Sequence, residues 1–564
     1  MKGQKNSKKS SKKFHPRKSN KKDFKGQYDA REKRDIVEDT KELQSKCNDW
    51  RWYAQNPQLV KDYASFPFGV PVGNNLPKGI PGYSSNNIPG ICSIYFAPTI
   101  GNSTDANAPV NVAARNIYSF VRHVNSGHAN YDAPDLMLYL LAMDSAYMYH
   151  EYLKRIARIV LDYSVFSRYY PDGLMAAMGV DYTDVQENIA SLRGFINIMA
   201  VKLGSMCVPN SMSYTARHMW MAGSLFLDSN TTKAQTYIYV PSYYMQFALG
   251  GESGTVGMLK TMQAPGLIST ASTPAKVSDL INFANELMDP ILSNEDMNIM
   301  SGDILKAFGN EGVVKLSGIT EGEALLPNKV EEVLSQIENA TVMPFNMAVY
   351  TIDQKVGVGE GYLVPSYQFQ TTVQLPTGVT TDAFESNLRA LLGTTNNNRA
   401  IMNFHWDGVT PEDVIVATRL TTVPQVTQVS ELTGAATITW NVAGLSSEVI
   451  TDARLFQVST VPGEKYFSRS FAKFSFFDQT DAVNAYPISM CNILSNFDWS
   501  PDFQAYIIHT PTGSNQQVIS SPMLSLRDTD NYTIISDVEL ENLATVCLLS
   551  QFSVPQMGTF SKKM

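Results

Sequence analysis

Only five cysteines occur in 564 residues: Cys47, Cys92, Cys207, Cys491 and Cys547, far apart and without a CxxC pair. Such spacing is neither a disulfide framework nor a zinc pattern, and it suits a reducing compartment. No apolar stretch opens the sequence, so no secretory signal is expected. The most apolar windows are interrupted by charge, at Asp144 in one and at Arg193 and Lys202 in another, so no segment reads as membrane-spanning. Charge is also scarce, at 17% of residues. A monomeric surface usually needs more, so much of this surface is expected to lie against other subunits.

The usual chemical constellations are missing as well. The seven histidines form no metal motif: His123 and His128 lie five apart, not at the i, i+4 spacing that puts two ligands on one helix face. His218, beside Met219 and Trp220, reads as a satisfied core or interface histidine. His405-Trp406-Asp407 imitates a His–Asp pair on one strand face, but no nucleophile accompanies it. The glycine-rich stretch from Gly250 to Lys260 fails the P-loop rule, since Lys260 stands three residues past Gly257. No cofactor, metal, small-molecule substrate or enzymatic activity is therefore expected.

What the chain does have is a divided charge. Residues 1–34 carry 14 of the 45 Lys and Arg and only three acids, Asp23, Asp29 and Glu32, a net of 14 − 3 = +11. The remainder carries 31 basic and 50 acidic residues, a net of −19. No Leu, Ile or Val precedes Ile36, so this stretch has nothing with which to build a core and reads as a disordered tail. A polycation tethered to an acidic body suits nucleic-acid phosphate, bound by counterion release without base readout. The candidate RNA contacts are Lys2, Lys5, Lys8, Lys9, Lys12, Lys13, Arg17, Lys18, Lys21, Lys22, Lys25, Arg31, Lys33 and Arg34. A solubilising or localisation tail is the competing reading.

The body divides by pattern. Trp50, Trp52 and Tyr53 form an aromatic knot, read either as interface anchors or as filling of the chain's own core. From about 66 to 109 prolines are dense enough to forbid long helices, which suggests an irregular arm or a few short strands contacting a neighbour. Helices then dominate to about 344. A long helix opens near Asp135, apolar all round in its first half, with Lys154, Arg155 and Arg158 on one face of its second half. That basic face reads as solvated or as facing nucleic acid. Thr183-x-x-Gln186 reads as a capping box, Thr273-Pro274 as a helix start, and Ser301 and Asn328 as N-caps. Between 345 and 475 strands prevail, Val414–Val423 among them, with one helix at Asp382–Leu392. Helical segments return at 487–496 and 537–549. The expected organisation is a basic tail (1–34), a mainly α domain (35–344), an inserted β-rich (α+β) domain (345–475) and a returning C-terminal segment (476–564).

Several stretches, taken in order, resemble the capsid proteins of picobirnaviruses. They are Trp50-Arg-Trp52-Tyr53-Ala54, Asp135-Leu-Met-Leu-Tyr-Leu-Leu-Ala-Met-Asp144-Ser-Ala-Tyr147 and Arg168-Tyr-Tyr-Pro171. The series continues with Ala177-Met-Gly-Val-Asp181, Val208-Pro-Asn210, Arg217-His-Met-Trp220-Met221, Lys233-Ala-Gln235 and Gly302-Asp-Ile-Leu-Lys-Ala-Phe-Gly309. The likeness spans about 50–340 and weakens beyond. It implies a helical shell domain with a smaller projecting domain, and homodimers that assemble into an icosahedral shell. That shell encloses a viral dsRNA genome, with the basic tail inside. The implied location is the virion, with assembly in the host cytoplasm. A non-assembling RNA-binding nucleoprotein is the alternative, because the tail alone would suit it.

Overall fold

The structure is a computed structural model. It describes residues 53, 55–65, 76–77, 84–85, 90–127, 130–161, 170–231, 234–250, 256–267, 273–343, 350–357, 360–392, 399–458, 466–479, 486–494, 497–511, 518–520, 523–524 and 530–552. The chain forms two compact units, Met1–Val70 and Pro71–Met564. In the first, helix α1 (Pro57–Ala64) starts at a proline behind Asn56, whose side chain accepts from Gln58 N, and it buries none of its residues.

The second unit is mixed helix and sheet: helices prevail before residue 344, but strands at 91–98, 226–227, 236–241, 243–250 and 256–263 stand among them. Its centre is strand β1 (Ile91–Pro98), buried at every position. The sequence reading placed these residues in a neighbour-contacting arm. Ile91-Cys-Ser-Ile-Tyr-Phe is instead a short apolar run bounded by Pro89 and Pro98, the signature of a strand covered on both faces.

Helix α2 (Pro109–Val124) follows, then α3 (Ala133–Ile159), the 27-residue helix the periodicity predicts. Pro134 in its first turn and reciprocal bonds between Asp132 and Asp135 fix its start. Four tyrosines on α3 resolve the cost of burying hydroxyls by donating to backbone carbonyls: Tyr139 to Cys207, Tyr147 to Met206, Tyr149 to Leu280 and Tyr152 to Met178. The helix is thus bonded to the segments around it as well as packed among them.

Next come α4 (Tyr170–Ala177), α5 (Ile189–Leu203) and α6 (Ser213–Gly223), then β2 (Thr236–Pro241), β3 (Tyr243–Gly250) and β4 (Val256–Gln263). The expected Thr183 cap is replaced by Asp181, which accepts from Thr183 N and Asp184 N. The glycine-rich stretch joins the antiparallel strands β3 and β4, not a strand to a helix. Gly179 and Gly266, both at positive φ, cross so closely that a Cβ on Gly266 would lie 1.9 Å from Gly179 O.

Helices α7 (Val277–Leu292), α8 (Glu295–Phe308) and α9 (Glu331–Glu338) complete this part. α7 begins three residues beyond Pro274. Asn294, not Ser301, caps α8, and Ser301 lies inside the helix accepting from Cys207 N. Asn328 stands outside α9, its N–H donated to Leu225 O.

The remaining elements are β5 (Thr351–Gly357), β6 (Glu360–Pro365), β7 (Gln370–Gln374), α10 (Thr381–Leu392), β8 (Arg399–Phe404) and α11 (Pro411–Ala417). They are followed by β9 (Val423–Leu432), β10 (Ala435–Ala443), β11 (Glu448–Val458), β12 (Tyr466–Phe471), β13 (Phe474–Asp478), α12 (Tyr486–Leu494), β14 (Gln504–Ile508), β15 (Asn531–Ser536) and α13 (Asp537–Gln551). The strand expected at Val414–Val423 begins as helix α11, because Thr410, Pro411 and Asp413 form a capping box that outranks the β-branched residues.

The boundary expected at 344/345 falls inside shared sheets. β11 lies between β1 and β12 in the order β12-β11-β1-β2 followed by 226–227, and β5 and β6 extend the β3-β4 hairpin into four antiparallel strands. Residues 370–443 also build a sheet of their own, β7-β10-β9, while β8 pairs with β15.

Candidate functional site

Charges buried inside apolar helices are the strongest chemical feature of the second unit. Asp144 interrupts the apolar run of α3, and Arg217 and His218 sit on α6, which packs along α3. Glu448 opens β11. His218 Nδ1 lies 2.7 Å from Asp144 Oδ2, and its Nε2 lies 3.6 Å from Glu448 Oε1, beyond hydrogen-bond range but within ion-pair reach. Arg217 donates through Nε to Glu448 and through Nη2 to Gln336 Oε1 at 3.2 Å. Gln336 passes the network on, donating to Val416 O at 2.8 Å. The cluster thus ties α3, α6, β11, α9 and α11 together, with Asp144, His218 and Glu448 all buried.

Burial alone would push His218 down, yet Asp144 and Glu448 hold the imidazolium above the ordinary histidine range. Burial would push Glu448 up, but Arg217 and then His218 outweigh it and its carboxyl is held below normal. Asp144 is raised, because burial exceeds the pull of His218. The arrangement is charge-balanced and closed. It works as a structural lock and presents no nucleophile.

A second histidine bridge lies nearer the surface. His405, just after β8, reaches Asp530 Oδ2 through Nδ1 and Glu338 Oε2 through Nε2, each at 2.9 Å. Its ring stands edge-on to Trp499 at 4.5 Å. The partner suggested by the local motif, Asp407, is not the one used. Neighbouring Asn403 donates to Glu338 Oε1 and accepts from Asp530 N, so the turn before β15 is held to β8 by side chain and backbone together.

The basic face of α3 is neither solvated nor turned to nucleic acid. Arg155 is fully buried and donates from Nη1 to the carbonyls of Tyr239 (2.8 Å), Met221 (3.2 Å) and Ser224 (3.3 Å). Burial pushes its guanidinium down to about 10. Lys154 pairs with Glu151 and donates to Ser317, and Arg158 pairs with Glu323. The sequence pattern was amphipathic by residue type, whereas the fold supplied carbonyls and carboxylates for each cation.

Of the residues proposed from sequence, the fourteen tail cations, Trp50 and Trp52 lie outside the described residues, and Tyr53 is 63% exposed. Among the described residues no group of three His, Cys, Asp or Glu is placed to hold a metal, and no helix is long and apolar enough to cross a membrane. The ion cluster was missed as a unit. Its signal was present in Asp144, Arg217 and His218 standing alone among apolar neighbours, since such charges persist only when paired.

Three comparisons with known proteins agree. A family model described as "Picobirnavirus, Capsid protein" matches residues 52–511. The "Capsid protein precursor" of human picobirnavirus (strain Human/Thailand/Hy005102/-) is 32% identical over 543 residues, 91% of this chain and 92% of its own length. A solved structure described as "X-ray crystallographic structure of the picobirnavirus capsid" has a similar fold, with a TM-score of 0.72 at 22% identity over 90% of this chain and 98% of that one.

Proposed function

This chain belongs to the picobirnavirus capsid protein family, and we propose that its copies pair as homodimers and close into an icosahedral shell around dsRNA, with residues 1–34 bound to the RNA inside. It is a structural protein of the virion, assembled on this reading in the host cytoplasm, and acts without a catalytic centre. Family membership carries the shell. The split between a +11 tail and a −19 body carries the placement of RNA. An acidic wall repels the genome over most of its area and leaves attachment to the tail.

Binding by the tail is independent of sequence and strongly salt-dependent. With about ten phosphates engaged, log K falls against log salt with a slope near −9 for a duplex. Trp50, Trp52 and Tyr53 act as anchors between copies. The outward surface is drawn from 345–475, chiefly from 370–443 with its own sheet. The tip loop Gly393–Asn398, outside the described residues, has the small polar composition of a tolerant insertion site.

Limited trypsin digestion of sealed particles tests the orientation. Cuts between 345 and 475 with an intact tail are expected. Cuts before residue 35 with that region untouched would reverse inside and outside. Electron microscopy of the purified chain separates the shell from the nucleoprotein alternative: closed particles in the first case, monomers or RNA-driven aggregates in the second.

A further inference from the structure

His405 bridges two carboxylates that answer differently to the loss of one proton. Its Nδ1 lies 2.9 Å from Asp530 Oδ2 and its Nε2 lies 2.9 Å from Glu338 Oε2. An ionised carboxylate only accepts, so two such contacts require both ring nitrogens to donate, and only the imidazolium has two N–H groups. Neutral imidazole keeps one. The other nitrogen then presents a lone pair to a carboxylate oxygen, and that contact turns from attractive to repulsive. Burial alone would push His405 down, yet Asp530 and Glu338 hold the imidazolium above the ordinary histidine range.

The surroundings of the two acids decide which one lets go. Glu338 ends α9 with 2% of its side chain exposed, and its Oε1 accepts from Asn403 Nδ2 at 2.9 Å. Without its imidazole donor this carboxylate would be stranded away from water, at high cost. Asp530 is 60% exposed, so water takes the place of the imidazole. The other neighbours do not take over the bridge. Trp499 meets the ring edge-on without charge, Asp413 of α11 is engaged by Trp406 Nε1 and Thr410, and Asp407 and Asp498 are exposed.

Asp530 is also the entry to a lightly secured strand. Among the described residues β15 pairs with β8 alone, four of its six residues are exposed, and Ile535 is buried in a small cluster with Met402, Phe404 and Leu540. At its far end the strand passes into α13, which starts at the Ser536–Glu539 capping box and is followed by Phe552, stacked on Tyr214 at 4.7 Å. At its near end the holds are His405 and Asn403 on Asp530, and Asn531 Nδ2 donating to Trp406 O at 3.2 Å. A strand tied to a docked helix at one end and to a titratable group at the other opens from the titratable end.

We propose that His405 is a proton-operated pin: as imidazolium it holds residues 530–536 against β8, and on deprotonation it keeps Glu338, releases Asp530 and lets β15 lift while α13 stays docked. The opening is local and bares Met402 and Phe404 on the inner face of β8. It runs in the alkaline direction, since the strand is held while His405 is charged and loosens as pH rises through the folded His405 value.

Hydrogen exchange of the full-length chain at pH 6 and pH 9 tests the pin, read as protection factors so that the intrinsic pH dependence of exchange cancels. Protection of the β15 amides bonded to β8 should fall about fivefold at pH 9, the scale of a partly exposed ion pair, with β1 unchanged. His405→Gln offers an amide N–H to one acid but a carbonyl oxygen to the other, and should show the lower protection at both pH values. Asp530→Asn separates the pin from the fold. Its amide accepts from a protonated Nδ1 and donates to a neutral one, so protection should stay high at both. Undiminished protection of the unmodified chain at pH 9, an equal fall in His405→Gln, a fall retained in Asp530→Asn, or an equal fall in β1 would each overturn the proposal.

Discussion

His218 and His405 each bridge two carboxylates from distant parts of the chain, yet their surroundings give the bridges different weights. His218 lies between Asp144 and Glu448 with no exposed surface. His405 is 23% exposed, and one of its partners, Asp530, is 60% exposed. In the closed cluster no water can replace a lost partner, so each charge depends on the others. At the surface, water and salt compete for the same groups, and the bridge guides more than it supports. The lesson is that the same residue pattern acts as a lock in the core and as a latch at the rim.

Removing one member of each cluster gives the largest contrast. Glu448→Ala should cost about 3–5 kcal/mol, because Arg217 loses its carboxylate and His218 keeps only Asp144 of its two partners. Asp530→Ala should cost no more than about 1 kcal/mol. Urea midpoints at constant m-value would report both. Comparable losses at the two sites would dissolve the distinction.

The pH response sharpens it. His218 is raised, so its contribution is full below the unfolded histidine value and is lost as pH rises through its higher folded value. Asp144 is raised too, which likewise removes stability as pH climbs past the ordinary carboxylate range. Glu448 is lowered, so its contribution is present above the unfolded glutamate value and disappears only as pH falls through its depressed folded value. Stability from this cluster should therefore be greatest in mildly acidic solution and decline toward alkaline pH. His218→Gln should flatten the alkaline decline. His405 has the same sign, with its contribution lost above its raised value. Its partly exposed bridge predicts a smaller slope, and His405→Gln should change it little. A flat stability profile in the unmodified protein from pH 6 to 9 would contradict both assignments.

A smaller effect is expected when the buried charges are removed together. Arg217→Met with Glu448→Met should recover most of the loss seen with Glu448→Ala, since replacing both ions of a buried pair by apolar groups is often near neutral. A double variant as unstable as the single one would mean that packing, not charge, explains the effect. The exposed pair Lys315–Glu311 sets the floor, with Lys315→Ala shifting stability by about 0.3–0.5 kcal/mol.

How much of this was legible in the sequence depended on range. Helix α3 could be read because its start signal and its apolar pattern are both local. The helix at 381–392 and the strand at 435–443 were legible for the same reason. Strand β1 was hidden by surrounding prolines, and its partner β11 lies some 350 residues away, a pairing that no local pattern encodes. Arg155 was misplaced because residue type suggested water, while the carbonyls of Met221, Ser224 and Tyr239 come from segments that only the fold brings near. The distant partners in the two histidine bridges were invisible on the same grounds: Glu448, Glu338 and Asp530 are ordinary acids until the topology delivers them.

On the proposed reading, an acidic shell holds RNA through the basic residues 1–34. The most direct measurement compares RNA protected from nuclease in particles made from the full chain and from a chain lacking residues 1–34, with micrographs of both. Closed particles are expected in each case, with most protected RNA lost from the truncated ones. Truncated particles that package RNA as well as the full chain would contradict it.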